Sequence, residues 1–300
     1  MRRALSTLAT LLVCSLLTAC PAKKAEEPKP AAPPATTQAT PPPSESRAPG
    51  SVPGSPVIMT PDLDRVINQQ KKLRVGLEAE FKPFEYKTDK GELVGFDVDL
   101  ANELGKELGV PVEFHETKWE GIIPDLLSSQ YDIILSGMTD TAEREKSIAF
   151  SKSYYHTGLC LLLNKAKDAA VKKPEELDSA DKTIVVKTGT TSDTWATQHF
   201  TKAKILRVSE ENSAALEVSQ GHADAMIYDQ LSIKNHADEA PDTTVAVLDP
   251  FTSEPYAIGM RQEDTGLKAR INDALDKINA DGRMDRLYAK HFGNLPRLLK

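Results

Sequence analysis

The chain has 300 residues, with 37 Lys and Arg against 44 Asp and Glu, for a net charge of −7. The first sixty residues carry three net positive charges, so residues 61–300 stand at −10 and lack the basic footprint that a phosphate backbone requires, which excludes nucleic acid as a partner. Three cysteines suffice neither for a disulfide framework nor for a tetrahedral zinc site, and the six histidines show no ligand spacing, so no metal and no cofactor is expected.

Met1-Arg2-Arg3 is a short basic start, followed by an apolar stretch over 4–19 that ends in Leu17-Thr18-Ala19-Cys20. This is the layout of a secretory signal over residues 1–19, too short for a spanning helix. The four-residue end resembles the lipobox of bacterial lipoproteins. That resemblance implies cleavage before Cys20, lipidation of its thiol, and a membrane held by the lipid anchor on the extracytoplasmic side of the cell envelope. An ordinary cleaved signal with an incidental cysteine is the alternative. Eleven of the twenty prolines fall within residues 21–60, among Ala, Thr, Ser, Lys and Glu. Such a segment buries too little apolar surface to fold, so residues 20–60 read as a tether.

From near Lys71 strand and helix signals alternate, the pattern of an α/β body. Strands are predicted over 73–77, 112–115, 131–135, 159–163, 183–186, 205–208, 223–228, 244–248 and 256–260. Helices are predicted over 96–108, 121–127, 211–220, 266–280 and 283–290. Cys160, inside Gly158-Leu159-Cys160-Leu161-Leu162-Leu163, reads as a small buried hydrophobe.

Several segments together carry a resemblance. They are Pro83-Phe84-Glu85-Tyr86, Gly91 through Leu100, Gly121-Ile122-Ile123-Pro124-Asp125-Leu126, Tyr131-Asp132-Ile133-Ile134 and Ser136-Gly137-Met138-Thr139 on to Glu143-Arg144. Ala149-Phe150-Ser151, Lys187-Thr188-Gly189-Thr190-Thr191 and Ala223-Asp224-Ala225-Met226 complete the set. In this order the chain resembles the polar amino-acid-binding proteins of ABC importers, solute-binding protein family 3. The resemblance implies a periplasmic-binding-protein type II fold, with two α/β lobes joined by two hinge strands. It places lobe 1 at 61–156 plus 253–300 and lobe 2 at 163–248. It also implies a monomer that hands an amino acid to an ABC permease, and no enzyme activity.

A free amino acid is a zwitterion, so a site needs donors for its carboxylate and an acceptor for its ammonium. The resemblance makes Arg144 the carboxylate donor, whose planar fork matches two oxygens, assisted by Gly137 and Thr139. Thr191 stands where a predicted helix opens, so its N–H also faces an anion. Read alone, Arg144 is a solvated helix charge. Asp229, just past a strand, is implied as the ammonium partner; read alone, it is a helix N-cap. Phe81, Trp119 and Tyr228 are candidate apolar walls, with Trp119 equally a packing staple. Glu78 and Lys187 are implied as the specificity pair. A cationic side chain beside Lys187 would set like charges together, so a neutral polar ligand such as glutamine is favoured over a cationic one. A surface ion pair of little value is the alternative for these two. Two rival functions remain. One is a ligand-sensing module for a separate receptor chain, and the other is a cyclohexadienyl-dehydratase-like enzyme. Against the enzyme, Gln230-Leu231-Ser232 supplies no second carboxylate after Asp229.

Overall fold

The computed structural model describes residues 58–293, so the signal, Cys20 and nearly all of the tether lie outside the described residues. Two five-stranded mixed sheets carry the body. The first has the order Val112–Glu116, Leu73–Leu77, Ile133–Ile134, Gly259–Arg261, Ile148–Phe150. The second runs Lys204–Val208, Thr183–Lys187, Ala225–Asp229, Leu159–Asn164, Thr244–Val247. In each sheet the first three strands are parallel and the fourth is antiparallel to its neighbours. That fourth strand is the one that enters from the other half of the chain. Leu159–Asn164 follows directly on the first sheet's residues, and Gly259–Arg261 returns after the second sheet is complete. Between the sheets the two crossings pair with each other as an antiparallel ladder, Tyr155–Thr157 against Glu254–Tyr256. These are the two hinge strands of a two-lobe α/β fold.

The apolar run 159–163 owes its character to position: all six residues of Leu159–Asn164 are buried, and Cys160 is a free thiol inside it. A strand paired on both edges and covered on both faces reads as a continuous hydrophobic run. The helix Phe96–Leu108 starts at Gly95, whose φ of +139° and backbone approach to Phe84 (a Cβ would lie 2.0 Å from its carbonyl oxygen) admit only glycine. It buries Phe96, Val98, Leu100, Ala101, Leu104 and Leu108. The residues predicted as one strand over 256–260 form two, Glu254–Tyr256 and Gly259–Arg261, because the chain passes there from the hinge ladder into the first sheet. A small sheet that periodicity did not reveal, Glu80–Phe81, Glu85–Lys87 and Leu93–Val94, lies beside the first strand.

The body also starts before Lys71. Pro61–Asp64 is helical and Arg65–Gln70 continues it as a π-helical turn, with Leu63 and Val66 buried. Asp62 accepts the Leu267 N–H (2.7 Å), capping the helix Thr265–Ala280 from a distant part of the chain. Arg65 reaches Asp264 at 3.2 Å, beside the buried Asp132 that also pairs with Arg74 at 2.8 Å. Those partners are far away in sequence, so the segment carries no local periodic signal.

Candidate functional site

The cleft between the sheets is built from the ends of strands. Glu78 follows Leu73–Leu77 of the first sheet; Lys187 and Asp229 close Thr183–Lys187 and Ala225–Asp229 of the second. The loop 136–139 follows Ile133–Ile134 and is clamped to the hinge strand, with the Ala257 N–H donating to the Met138 carbonyl (3.0 Å) and Thr139 bridging to Tyr256. Arg144 opens a short 3-10 turn, Arg144–Lys146, immediately before the edge strand.

These elements line a narrow cavity of about 20 Å³, bounded by Glu78, Phe81, Glu85, Trp119, Ser136, Gly137, Thr139, Arg144, Thr190, Thr191, Tyr228 and Asp229. Nine of the ten ligand-binding candidates read from the sequence therefore surround one space. Lys187 stands behind Glu78 and is ion-paired with it. Both are buried, at 2% and 4% exposure, so this is not a surface pair. It joins one sheet's end to the other's, and the second Glu78 oxygen accepts the Trp119 N–H at 3.2 Å. Removing one partner of such a pair strands a buried charge at a cost of about 3–5 kcal/mol.

Arg144 is held from three sides. Its Nη1 donates to the Thr139 carbonyl at 2.7 Å, its Nη2 to the Gly189 carbonyl at 3.5 Å, and its guanidinium lies 5.3 Å from the Trp119 ring centroid. Trp119 in turn donates its indole N–H to the Gly189 carbonyl at 3.1 Å. Trp119 is thus a wall of the cavity and a contact between the two sheets' loops. Burial draws the Arg144 pKa below its ordinary value, against the opposing pull of Glu254 and Asp229. A desolvated guanidinium facing a closed space is an anion receptor.

Asp229 is the N-cap residue of the helix Gln230–Glu239, yet its side chain makes no capping bond. Burial pushes its carboxyl up to about 7, with the neighbouring Tyr256 hydroxyl acting in the opposite direction and Glu254 adding repulsion. A carboxylate so placed gains from an incoming cation. Phe81 meets Tyr228 edge-on at 5.9 Å and stacks on Phe84 at 4.9 Å. Gly137, at φ +52°, leaves room for that ring: a Cβ there would sit 2.4 Å from it. Thr190 caps the helix Thr191–His199, accepting the Asp193 N–H at 3.4 Å. Its neighbour Thr191 lines the cavity at the helix's positive end.

Glu85, Ser136 and Thr190 also line the cavity. They sit inside the motifs Pro-Phe-Glu-Tyr, Ser-Gly-Met-Thr and Thr-Gly-Thr-Thr, but nothing in the linear pattern showed which side chain of each motif turns inward. Among the described residues, no group of three or more His, Cys, Asp or Glu side chains is arranged to hold a metal. No helix among them is long and apolar enough to cross a membrane.

Residues 73–294 match bacterial extracellular solute-binding proteins, family 3. The chain belongs to that family. Among family 3 relatives, the ABC transporter glutamine-binding protein GlnH of Bacillus subtilis (strain 168) is 31% identical over 233 residues, 76% of this chain and 84% of that one. Two solved structures share the fold. The ancestral amino acid-binding protein AncCDT-1, a precursor of cyclohexadienyl dehydratase, is 41% identical at a TM-score of 0.72, covering 77% of this chain and 99% of that one. An ancestral arginine-binding protein bound to glutamine is 36% identical at a TM-score of 0.70, covering 75% and 99%. All three are named as binding proteins.

Proposed function

We propose that this chain is the amino-acid-binding component of an ABC importer. It is exported, anchored by lipid on Cys20, and closes two lobes on a neutral polar amino acid of the glutamine class. The observation that carries the reading is that Arg144 and Asp229, from opposite sides of the cleft, line the same cavity. Their charges are opposite and match the two ends of a zwitterion. The ligand's carboxylate replaces the hydration that Arg144 has lost, and its ammonium supplies the cation that Asp229 lacks. Phe81 and Trp119 hold the stem between them.

Specificity rests on the Glu78–Lys187 pair. A carboxamide offers one donor group and one acceptor, so it satisfies both ends of a neutral ion pair at once. A guanidinium or ammonium side chain satisfies Glu78 but repels Lys187. Closure is part of the binding step, because Glu78, Trp119 and Arg144 lie on one side and Lys187, Gly189 and Asp229 on the other. Only the closed form brings both sides against one ligand, so the ligand shifts the population toward closure. The closed pair of lobes is then the form presented to the permease.

A thermal-shift screen of the twenty amino acids tests this reading, since a ligand that binds only the folded state raises its apparent stability. Glutamine or a similar neutral amide giving the largest shift supports it. Arginine giving the largest shift overturns the specificity argument, and no shift with any amino acid overturns the whole.

A further inference from the structure

Two carboxyl side chains without solvent exposure meet at the cleft, Glu85 on the cavity wall and Asp97 behind it. Glu85, on Glu85–Lys87 of the small sheet, and Asp97, in the first turn of Phe96–Leu108, each have 0% exposure. Each gives one oxygen to residues of the cavity wall. Glu85 Oε1 accepts the Ser136 hydroxyl at 2.6 Å, and the same Ser136 oxygen accepts the Glu78 N–H at 3.0 Å. Asp97 Oδ2 accepts the Gly137 N–H and the Tyr154 hydroxyl, both at 2.8 Å.

The other two oxygens, Glu85 Oε2 and Asp97 Oδ1, receive no hydrogen bond from any other donor among the described residues. The two side chains lie within hydrogen-bond reach of each other. One proton placed between them satisfies both orphan oxygens. Two contacting carboxylates cannot both ionise in a site without a cation. The charged and titratable groups facing Glu85 are Asp97, Glu78, Tyr154 and Tyr228. None is a cation, and Lys187 is already engaged by Glu78.

We propose that Glu85 and Asp97 share one proton, and that this acid pair is the positioning device that holds Ser136, Gly137 and Glu78 in ligand-binding register. The inference rests on the amino-acid-binding reading above and deepens it. Burial and the neighbouring Asp97 push Glu85 well above the carboxylate range, while Asp97, raised by burial to about 6, is helped back by the Gly137 and Tyr154 bonds. The proton therefore resides on Glu85 and is donated to Asp97. Asp97 also sits at a helix N-terminus, which favours it as the ionised member. Loss of the shared proton at alkaline pH sets two charges against each other directly beneath the loop that lines the cavity. Ser136 and Gly137 then move, and the Glu78 backbone moves with them.

The test pairs calorimetric affinity against pH with infrared spectroscopy of the ligand-bound protein, in wild type, Glu85→Gln and Glu85→Leu. Asp97→Asn serves as a second conservative variant should Glu85→Gln fail to fold. The expected wild type shows the carbonyl stretch of a protonated carboxyl with ligand bound, and Glu85→Gln lacks it. Glu85→Gln, whose amide donates where the proton did, loses less affinity at neutral pH than Glu85→Leu, which loses about 10-fold or more by leaving Asp97 Oδ1 without a donor and the Ser136 hydroxyl without its acceptor. Above the pair's second ionisation, wild-type affinity falls by up to ~10-fold per pH unit, whereas Glu85→Gln shows only the fall set by the ligand's own amine. A residue of purely structural role would weaken binding by the same factor at every pH. Identical pH profiles in wild type and Glu85→Gln, or normal binding with no protonated-carboxyl band, overturn the acid pair alone. Failure of every amino acid to bind removes the pair's role together with the reading it rests on.

Discussion

Asp229 makes the most quantitative demand on the account. Burial raises its carboxyl to about 7 in the ligand-free cleft. An ammonium group needs the ionised form, so the binding-competent fraction falls as pH drops through that value. At about pH 5.5, some 1.5 units lower, only ~3% of the carboxyl is ionised. Affinity is then ~30-fold weaker than at about pH 8.5, or about 2 kcal/mol. Binding near pH 7 also releases about half a proton, because the ligand's charge pulls the carboxyl down. Titration calorimetry in buffers of different ionisation enthalpy reads both quantities. Asp229→Asn binds weakly and without the acidic limb. A wild-type affinity that stays constant over this range, or proton uptake on binding, refutes the assignment of Asp229 as ammonium partner.

Other substitutions probe the remaining parts. Arg144→Ala strands the ligand carboxylate in a closed cleft and weakens binding by roughly 2–5 kcal/mol in calorimetry, whereas near-normal affinity removes Arg144 from the site. Lys187→Met leaves Glu78 buried without its cation. A cationic ligand then takes Lys187's place, and the arginine-to-glutamine affinity ratio rises by about 10-fold or more in competition binding. In the absence of ligand, Asp229→Asn melts higher than wild type at about pH 8. A carboxyl whose folded pKa is raised contributes stability below its unfolded value and loses it as pH rises through the folded value. Asp62→Ala removes the distant cap on Leu267 and costs about 1 kcal/mol in denaturant unfolding, with ligand affinity unchanged.

How much of this was legible in the sequence differs from element to element. The helix Phe96–Leu108 was readable to the residue because a glycine bounds each end and the apolar positions keep one face. The central strand Leu159–Asn164 announced itself by being apolar throughout. The hinge strand Tyr155–Thr157 and the strand Ile148–Phe150 are each three residues long, so alternation had no length in which to appear. Pro61–Gln70 was passed over because its anchors, Asp264 and Leu267, lie about two hundred residues away. At the site, the family resemblance picked out Arg144, Asp229, Glu78 and Lys187, whose charge type alone read as surface charges and a helix cap, and only the fold puts Glu78 and Lys187 in contact. The inward turn of Glu85 was invisible for a related reason. A glutamate between Phe84 and Tyr86 looks like any strand residue until Ser136 and Asp97 arrive from other elements to enclose it.

The proposed ligand is a neutral polar amino acid, received as a zwitterion in one closed cleft. Parallel calorimetric titrations of the protein with glutamine and arginine test it most directly. Saturable one-to-one binding of glutamine is expected, tighter than that of arginine, with the acidic limb set by Asp229. Arginine binding more tightly than glutamine, or glutamine producing no saturable heat, would contradict it.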